Sequence, residues 1–360
     1  MNNICFLNSE KKWGGGEKWH FKMSALFSKL GYNVVLAGNV NSELVVRAKN
    51  DGRKVCEIKI GRYSFLNPFR IYKIYRFFRE KNIDTLFMNS STDLKLCFWP
   101  SKLAKVENVI YRRGMPHPIK NSFLNRVIFS KMLTKVIVNS KEIEKSIFIN
   151  NNKIISKEKV VLLYNGVDKD DYIQTDAKLY EDNTGCVVFG NLGRLVEQKG
   201  QIHLIEAAKI LKEKGYRFKI LIAGKGNSEQ FLKAKIREYR LEQEVILLGF
   251  INKIEKFMNS IDVFVFPSYF EGSANAILEA MFFSKPAICF NVSSMPELVE
   301  DTRTGYLAEY KSTESFAGKM EEFITNPALI EKMGKTAKEV VDDYDILVLS
   351  KKLEKLILEG

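Results

Sequence analysis

The sequence predicts an α/β protein built from two Rossmann-like domains facing across a cleft. Three observations point there. Short apolar runs recur along the chain, and helix-spaced stretches separate several of them, as βαβ units require. Several of these runs end in glycine or in a short polar turn, the place where open α/β sheets carry their ligand chemistry. A chain of 360 residues is also too long for one comfortable core, so two domains of ordinary size are expected.

Composition narrows the class. Hydrophobic residues make up 46% of the chain, normal for a globular protein. No apolar run reaches membrane-spanning length, and the Asn- and Lys-containing N-terminus lacks the form of a signal peptide, so a soluble or peripheral protein is expected. The five cysteines are scattered and form no C-x-x-C pair, and there are only three histidines. Both facts argue against a zinc site and for a reducing, cytoplasmic location. The net charge of +13 is unevenly spread: residues 1–180 hold 32 Lys and Arg against 16 Asp and Glu, leaving the second half at −3. A basic first half suits an anionic partner, either nucleic acid or an acidic membrane leaflet, unless it reflects a lysine-rich composition alone.

Asn3 to Asn8 reads as the first strand, and Gly14-Gly15-Gly16-Glu17 follows, leading into an amphipathic segment that ends at Leu30. Three glycines between strand and helix allow close backbone approach to a ligand, though they can equally form a flexible connection. Strands are expected at Tyr32 to Ala37, Val55 to Ile60 and Ile83 to Met88. Between the last two, Pro68 to Lys81 has helical spacing and is crowded with aromatic and basic residues. It reads as the crossover helix of a βαβ unit, with an interfacial membrane helix as the alternative. A strand at Val109 to Tyr111 runs into Arg112-Arg113-Gly114-Met115-Pro116-His117-Pro118. The two prolines make that loop rigid. Arg112 and Arg113 can serve donor phosphates, an acidic acceptor or the basic face. Val136 to Val138 is a strand, Ser140 an N-cap, and the helix after it extends to about Asn150. Val160 to Tyr164 then leads to Asn165-Gly166-Val167-Asp168, a tight reversal.

The second half opens on Val187 to Phe189 and Gly193-Arg194, with Lys199-Gly200 shortly after. Two fixed cations beside a helix start can neutralise charge developing on a departing diphosphate. Lys219 to Ala223 with Gly224, and Val245 to Leu248 with Gly249-Phe250, are further strand-and-turn units. Ile261 to Phe266 is the next strand. After Pro267, Ala274 to Phe283 reads as a helix whose start Ser273 or Asn275 can cap. Its N-terminal amides form a seat for an anion. Glu271 precedes this helix and Glu279 lies inside it, roughly 10 Å apart along the axis. That span suits a sugar at one carboxylate, a ribose at the other and a diphosphate between them. A strand at Ala287 to Phe290, a helix start at Pro296-Glu297 and a helix from Ile346 to Leu358 complete the reading.

The run E-G-S-A-N-A-I-L-E-A-M at 271–281, then S-K-P-A-I and M-P-E-L-V, resembles the signature region of family-4 retaining glycosyltransferases. So do G-R-x-x-x-x-K-G at 193–200, Y-N-G-V-D at 164–168 and, more loosely, the G-G-x-E segment. The resemblance implies the GT-B fold and a nucleotide-sugar donor, with a UDP-sugar expected. It assigns the diphosphate to Arg194 and Lys199, and the sugar and ribose to Glu271 and Glu279. Gly15, Gly16 and Glu17 are placed at donor sugar and phosphates, His117 near the donor sugar, and Gly193, Gly224, Phe250, Gly272, Ala274, Asn275 and Ala276 around the nucleotide. Ser284, Ser293 and Ser294 replace glycines common in the family, which bears on donor preference. R-R-G-M-P-H-P is most similar to enzymes of bacterial lipopolysaccharide and surface-glycan synthesis.

The domains expected are 1–167 on the acceptor side, a linker at 168–184 and a nucleotide-sugar domain at 185–342. The helix at 343–360 is expected to rejoin the first domain. The implied reaction is metal-independent transfer of a sugar, with retention, to a glycan or glycolipid acceptor. No cofactor and no nucleic acid are expected, and an acidic membrane surface is the partner assigned to the basic domain. The enzyme is expected in the cytoplasm, peripheral at the inner face of the cytoplasmic membrane. The alternatives are a GT-B nucleotide-sugar epimerase and a non-catalytic basic protein that binds nucleic acid or membrane.

Overall fold

In the computed structural model, which describes residues 3–149 and 154–358, the strands form two parallel sheets, each the centre of its own unit. The first unit takes the chain up to Asn165 together with the segment from Leu347 onward, and the second takes Gly166–Ile346.

The first unit alternates strand and helix in sequence. Its elements are β1 (Asn3–Asn8), α1 (Gly15–Lys29), β2 (Asn33–Asn39), α2 (Glu43–Asn50), β3 (Val55–Ile58), α3 (Pro68–Glu80), β4 (Thr85–Met88), α4 (Ser91–Ala104), β5 (Asn108–Arg113), α5 (Phe123–Lys131), β6 (Lys135–Val138), α6 (Lys141–Phe148) and β7 (Val160–Leu162). The strand order is β3-β2-β1-β4-β5-β6-β7. After β3 the chain crosses back over β1 to lay down β4, so the loops after β1 and β4 diverge at a switch point. Burial follows the two-residue period of a strand. Cys5, Leu7, Leu86 and Met88 cluster with Ile74, Phe78 and Phe98 of α3 and α4. Phe6 and Phe87 point to the opposite face, their rings stacked 4.7 Å apart and Phe6 tilted against Phe27 of α1.

The segment rich in aromatic and basic residues is indeed a crossover helix. Asn67 caps α3 by accepting from the Arg70 amide at 3.1 Å, Pro68 occupies the first turn, and Ile74, Phe77 and Phe78 turn inward. Helix α4, absent from the elements expected above, starts at a capping box that Ser90-Ser91-Thr92-Asp93 spells in the sequence. Ser90 Oγ accepts from the Asp93 amide while Asp93 Oδ2 accepts from the Ser90 amide. Ser140 caps α6 as expected, and the expected end of that helix at Asn150 lies outside the described residues.

The second unit holds β8 (Val187–Leu192), α7 (Ile202–Glu213), β9 (Phe218–Ala223), α8 (Glu229–Glu238), β10 (Val245–Gly249), α9 (Ile254–Asn259), β11 (Val263–Phe266), α10 (Asn275–Phe282), β12 (Ala287–Phe290), β13 (Gly305–Ala308), α11 (Thr313–Thr325) and α12 (Ala328–Val341). Its order, β10-β9-β8-β11-β12-β13, repeats the first sheet's reversal, with the switch point between β8 and β11. The polar stretch 168–184 lies against this unit. The amides of Leu179 and Tyr180 donate to Ser260 Oγ at 2.8 and 3.0 Å, and Tyr172 stacks on Phe282 at 5.2 Å. Where the chain leaves for its last helix, Val167 donates to the Tyr344 carbonyl and accepts from the Ile346 amide, at 2.8 and 2.9 Å. Helix α13 (Ile346–Leu358) buries Leu349, Leu353 and Ile357, and Glu354 accepts from the Tyr32 hydroxyl at 2.9 Å. Among the described residues no helix is long and apolar enough to cross a membrane.

Candidate functional site

At the switch point of the second sheet, the loop after β8 is laced to the loop after β11. The Tyr269 amide donates to the Gln198 carbonyl at 2.8 Å. Gly200 has φ +63°, and a Cβ there would stand 2.1 Å from the Pro267 carbonyl oxygen, so only glycine lets the two loops approach this closely. Gly224 does the same on the neighbouring strand: at φ +148°, an added Cβ would meet the Gly193 carbonyl oxygen at 1.8 Å. Its amide donates to the Gly249 carbonyl at 2.7 Å, and the Gly193 amide donates to the Ala223 carbonyl at 3.0 Å. Gly193, Gly224 and Gly249 therefore interlock the ends of β8, β9 and β10, and Phe250 follows with 70% of its surface exposed.

This lacing brings Lys199 and Glu271 together. Lys199 Nζ lies 2.6 Å from Glu271 Oε1 and 4.9 Å from the Phe266 ring centre, and both charged side chains are largely shielded, 15% and 12% exposed. The Ser268 hydroxyl donates to the same carboxylate oxygen at 2.6 Å. Ser293 grips the Glu271 main chain from the other side. Its hydroxyl donates to the Glu271 carbonyl at 2.7 Å and sits 3.2 Å from the Glu271 amide, which donates to it. Ser293 has φ +58° and Ser284 +56°, so two of the serines that replace family glycines occupy the left-handed region. Such a residue costs about 1–2 kcal/mol, which the two bonds of Ser293 offset at its position.

Helix α10 begins at Asn275, one residue later than expected, and ends at Phe282. The expected side-chain cap is not made. Ala274 is the N-cap and carries no capping oxygen, while the Ser273 hydroxyl turns to Asn275 Oδ1 at 3.1 Å. Gly272 and Ala276 flank that turn, half-buried. Glu279, one turn further along, accepts from the hydroxyl of Tyr172, whose acidity burial and this carboxylate both suppress. The Tyr172 ring packs on Phe282 and Phe283, each 5.2 Å away. Arg194 is exposed, its carbonyl held by Gln201 Nε2 at 3.0 Å. It borders a groove of about 790 Å³ that Ile202, Asn227, Phe231 and Tyr269 also line.

Within the first unit, Glu17 is interior. It is 5% exposed and its Oε1 accepts from Asn8 Nδ2 at 2.8 Å. An added Cβ at Gly16 would stand 2.1 Å from Asn89 Nδ2, whereas Gly15 faces open space. Arg112 is buried too: its guanidinium donates to Asn89 Oδ1 at 3.0 Å and Asn165 Oδ1 at 2.7 Å and lies 5.0 Å from the Trp19 ring centre. Burial draws its pKa down to about 10, so it stays charged at neutral pH. A side chain so enclosed serves the interior and not the basic face that the sequence also allowed. His20, beneath the glycine loop, is fully buried with Nδ1 3.1 Å from the Gly16 carbonyl, and burial lowers its pKa to about 3. His117 is exposed in the loop after β5, and its carbonyl accepts from Arg113.

Sequence reasoning missed Ser268 and Tyr172. A serine three residues before Glu271 gives no spacing signal, and Tyr172 lies in a stretch without period.

The sequence profile of the glycosyl transferases group 1 family matches residues 174–340. The capsular polysaccharide biosynthesis glycosyltransferase CapM of Staphylococcus aureus is 30% identical over 181 residues, 50% of this chain and 47% of CapM. The chain thus spans about half the length of that relative. The N-acetylgalactosamine-N,N'-diacetylbacillosaminyl-diphospho-undecaprenol 4-alpha-N-acetylgalactosaminyltransferase of Campylobacter jejuni is 28% identical over 303 residues, 81% of this chain and 80% of that enzyme. In structure, Anabaena HepE in complex with UDP and glucose superposes with a TM-score of 0.83 over 100% of both chains at 20% identity, a likeness of fold.

Proposed function

We propose that this chain is a glycosyltransferase of group 1, the family whose profile matches residues 174–340, and that it moves a sugar, with retention, from a UDP-sugar to a hydroxyl of a glycan or glycolipid in bacterial surface-glycan synthesis. The named activities of CapM and of the Campylobacter enzyme support the acceptor class, and the UDP and glucose of HepE support the donor. Work at the inner face of the cytoplasmic membrane follows from a lipid-linked acceptor.

The observation that carries the reading is the shielded Lys199–Glu271 pair beside the start of α10. Lys199 and Arg194 hold the diphosphate and neutralise charge as it departs, the work that a metal performs in other transferases. The amides at the start of α10 add their partial positive charge. Glu271 and Glu279 accept hydroxyls of sugar and ribose and do not act as the acid and base of a glycosidase. Departure and attack occur on one face of the sugar through an oxocarbenium-like state, and the leaving phosphate takes the acceptor proton. His117, Gly15 and Gly16 are assigned to the sugar and phosphates, while Glu17, interior and accepting from Asn8 Nδ2, holds the glycine loop in place. Gly193, Gly224, Phe250, Gly272, Ala274, Asn275 and Ala276 frame the nucleotide.

Hydrolysis of a panel of UDP-, GDP- and ADP-sugars identifies the donor. With that donor, Lys199→Ala is expected to lower turnover by at least ~10²-fold. Near-normal turnover removes the proposed role of Lys199, and activity lost to EDTA and restored by Mg²⁺ removes the metal-free mechanism.

A further inference from the structure

The outer surface of α3 and α4, with the 3-10 turn Ser64–Leu66 that precedes α3 and packs on both helices, combines two properties. Its first property is apolar. Phe69 and Tyr72 on α3 are 84% and 59% exposed, Tyr63 and Leu66 at the turn 65% and 68%, and Trp99 and Leu103 on α4 56% and 57%. Each helix spends its inward residues on the core, Ile74, Phe77 and Phe78 from α3 and Leu94, Cys97 and Phe98 from α4, so these outward rings are surplus to folding. The two helices pack side by side, and Lys95 of α4 reaches over the Phe65 ring of the turn at 5.7 Å.

The second property is charge. Residues 61–80 contain Arg62, Arg70, Lys73, Arg76 and Arg79 against one acidic residue, Glu80, which pairs with Arg76. Lys95 and Lys102 on α4, with Lys105 at its C-cap, stand against one acid within the helix, Asp93, which is buried in the helix cap. Phe69, Tyr72, Lys73 and Arg76 fall on one stripe of α3 at helical spacing.

We propose that this surface docks the protein on an anionic phospholipid bilayer. Rings and leucines enter the boundary between headgroups and acyl chains while the long cationic side chains reach out to phosphates. Aromatic stacking also serves single-stranded nucleic acid, but Leu66 and Leu103 have no face to stack on a base, and insertion into acyl chains uses them. A helix packed on a core by one face and open on the other enters the boundary without unfolding. The inference deepens the glycolipid-directed reading above and rests on it for the biological purpose of docking.

The test is partition of the intact protein onto vesicles of phosphatidylcholine with phosphatidylglycerol, against phosphatidylcholine alone. Binding is expected only to the mixed vesicles and is expected to weaken as salt rises. Trp99 fluorescence should be quenched by lipids brominated on the acyl chains, and Trp99→Phe should abolish that quenching. The pair Leu66→Ala and Phe69→Ala should lower partition by about 10-fold or more, with an unchanged far-ultraviolet spectrum and unchanged transfer to a water-soluble acceptor. Equal binding to both vesicle types, unquenched Trp99, partition insensitive to the alanine pair, or retention on RNA in preference to vesicles would each overturn the surface. Vesicle binding that follows these expectations in a protein inactive on every donor would leave the surface standing and remove the enzymatic reading.

Discussion

Glu279 receives the hydroxyl of a tyrosine from the polar stretch that follows the first unit, and the consequences belong to single side chains. The proposed role of that carboxylate, on a ribose, needs it aimed. Tyr172 aims it, since its hydroxyl donates to the carboxylate and its ring packs on Phe282 and Phe283. Tyr172→Phe keeps the packing and removes the bond. Donor affinity by calorimetry is expected to fall about 5- to 10-fold while turnover at saturating donor stays near normal. An unchanged affinity would mean that Glu279 is aimed by its helix alone. At this scale the sequence is most legible where spacing is rigid. Arg194, Lys199, Glu271 and Glu279 belong to motifs of fixed length, whereas Tyr172, Ser268 and Ser293 reach them through folding of loops that no local pattern encodes.

At the scale of elements, legibility follows amphipathicity. Strand β1 and helix α3 are readable to within a residue because their apolar periods and end signals agree. Helix α4 is not, because apolar residues surround it and Pro100 lies inside it, a residue that argues against a helix in any local reading. The same helix carries a pH signature through its cap. Asp93 is buried, and desolvation raises its pKa from 3.8 to about 6. The stability this gives is complete below pH 3.8 and is lost as pH rises through about 6. His20 on α1 works the other way. Its pKa falls from 6.5 to about 3, so its contribution is complete above pH 6.5 and is lost as pH falls toward 3. Between about pH 4 and 6 the two slopes, each up to about 1.4 kcal/mol per pH unit, oppose each other. Urea unfolding of the intact protein should therefore vary little across that window on their account. His20→Phe should make stability fall as pH rises, and Asp93→Asn should make it fall as pH drops. Parallel profiles for the two variants would show that neither group titrates as its burial implies.

The whole molecule is two sheets with the same strand reversal, and each places a glycine-bearing loop at its switch point. The order of most elements is readable because each unit repeats a local β-α rhythm. Which unit takes the last helix is not a local property: the surface that receives it is assembled from residues far away in sequence. Leu353, fully buried in α13, makes the consequence testable, because it lies next to the C-terminus in sequence but belongs to the first unit in space. Leu353→Ala removes a core side chain, a loss of about 2–5 kcal/mol. Hydrogen exchange followed by mass spectrometry should show the amides of β1, β2 and α1 exchanging faster in the variant. Those of β8, β9 and α10 should keep their protection, since their sheet and core are separate. UDP should give the complementary result, adding protection around Lys199, Glu271 and α10 in wild type and variant alike. If exchange quickened equally in both sheets, the molecule would unfold as one cooperative block and its stability could not be divided between the two units.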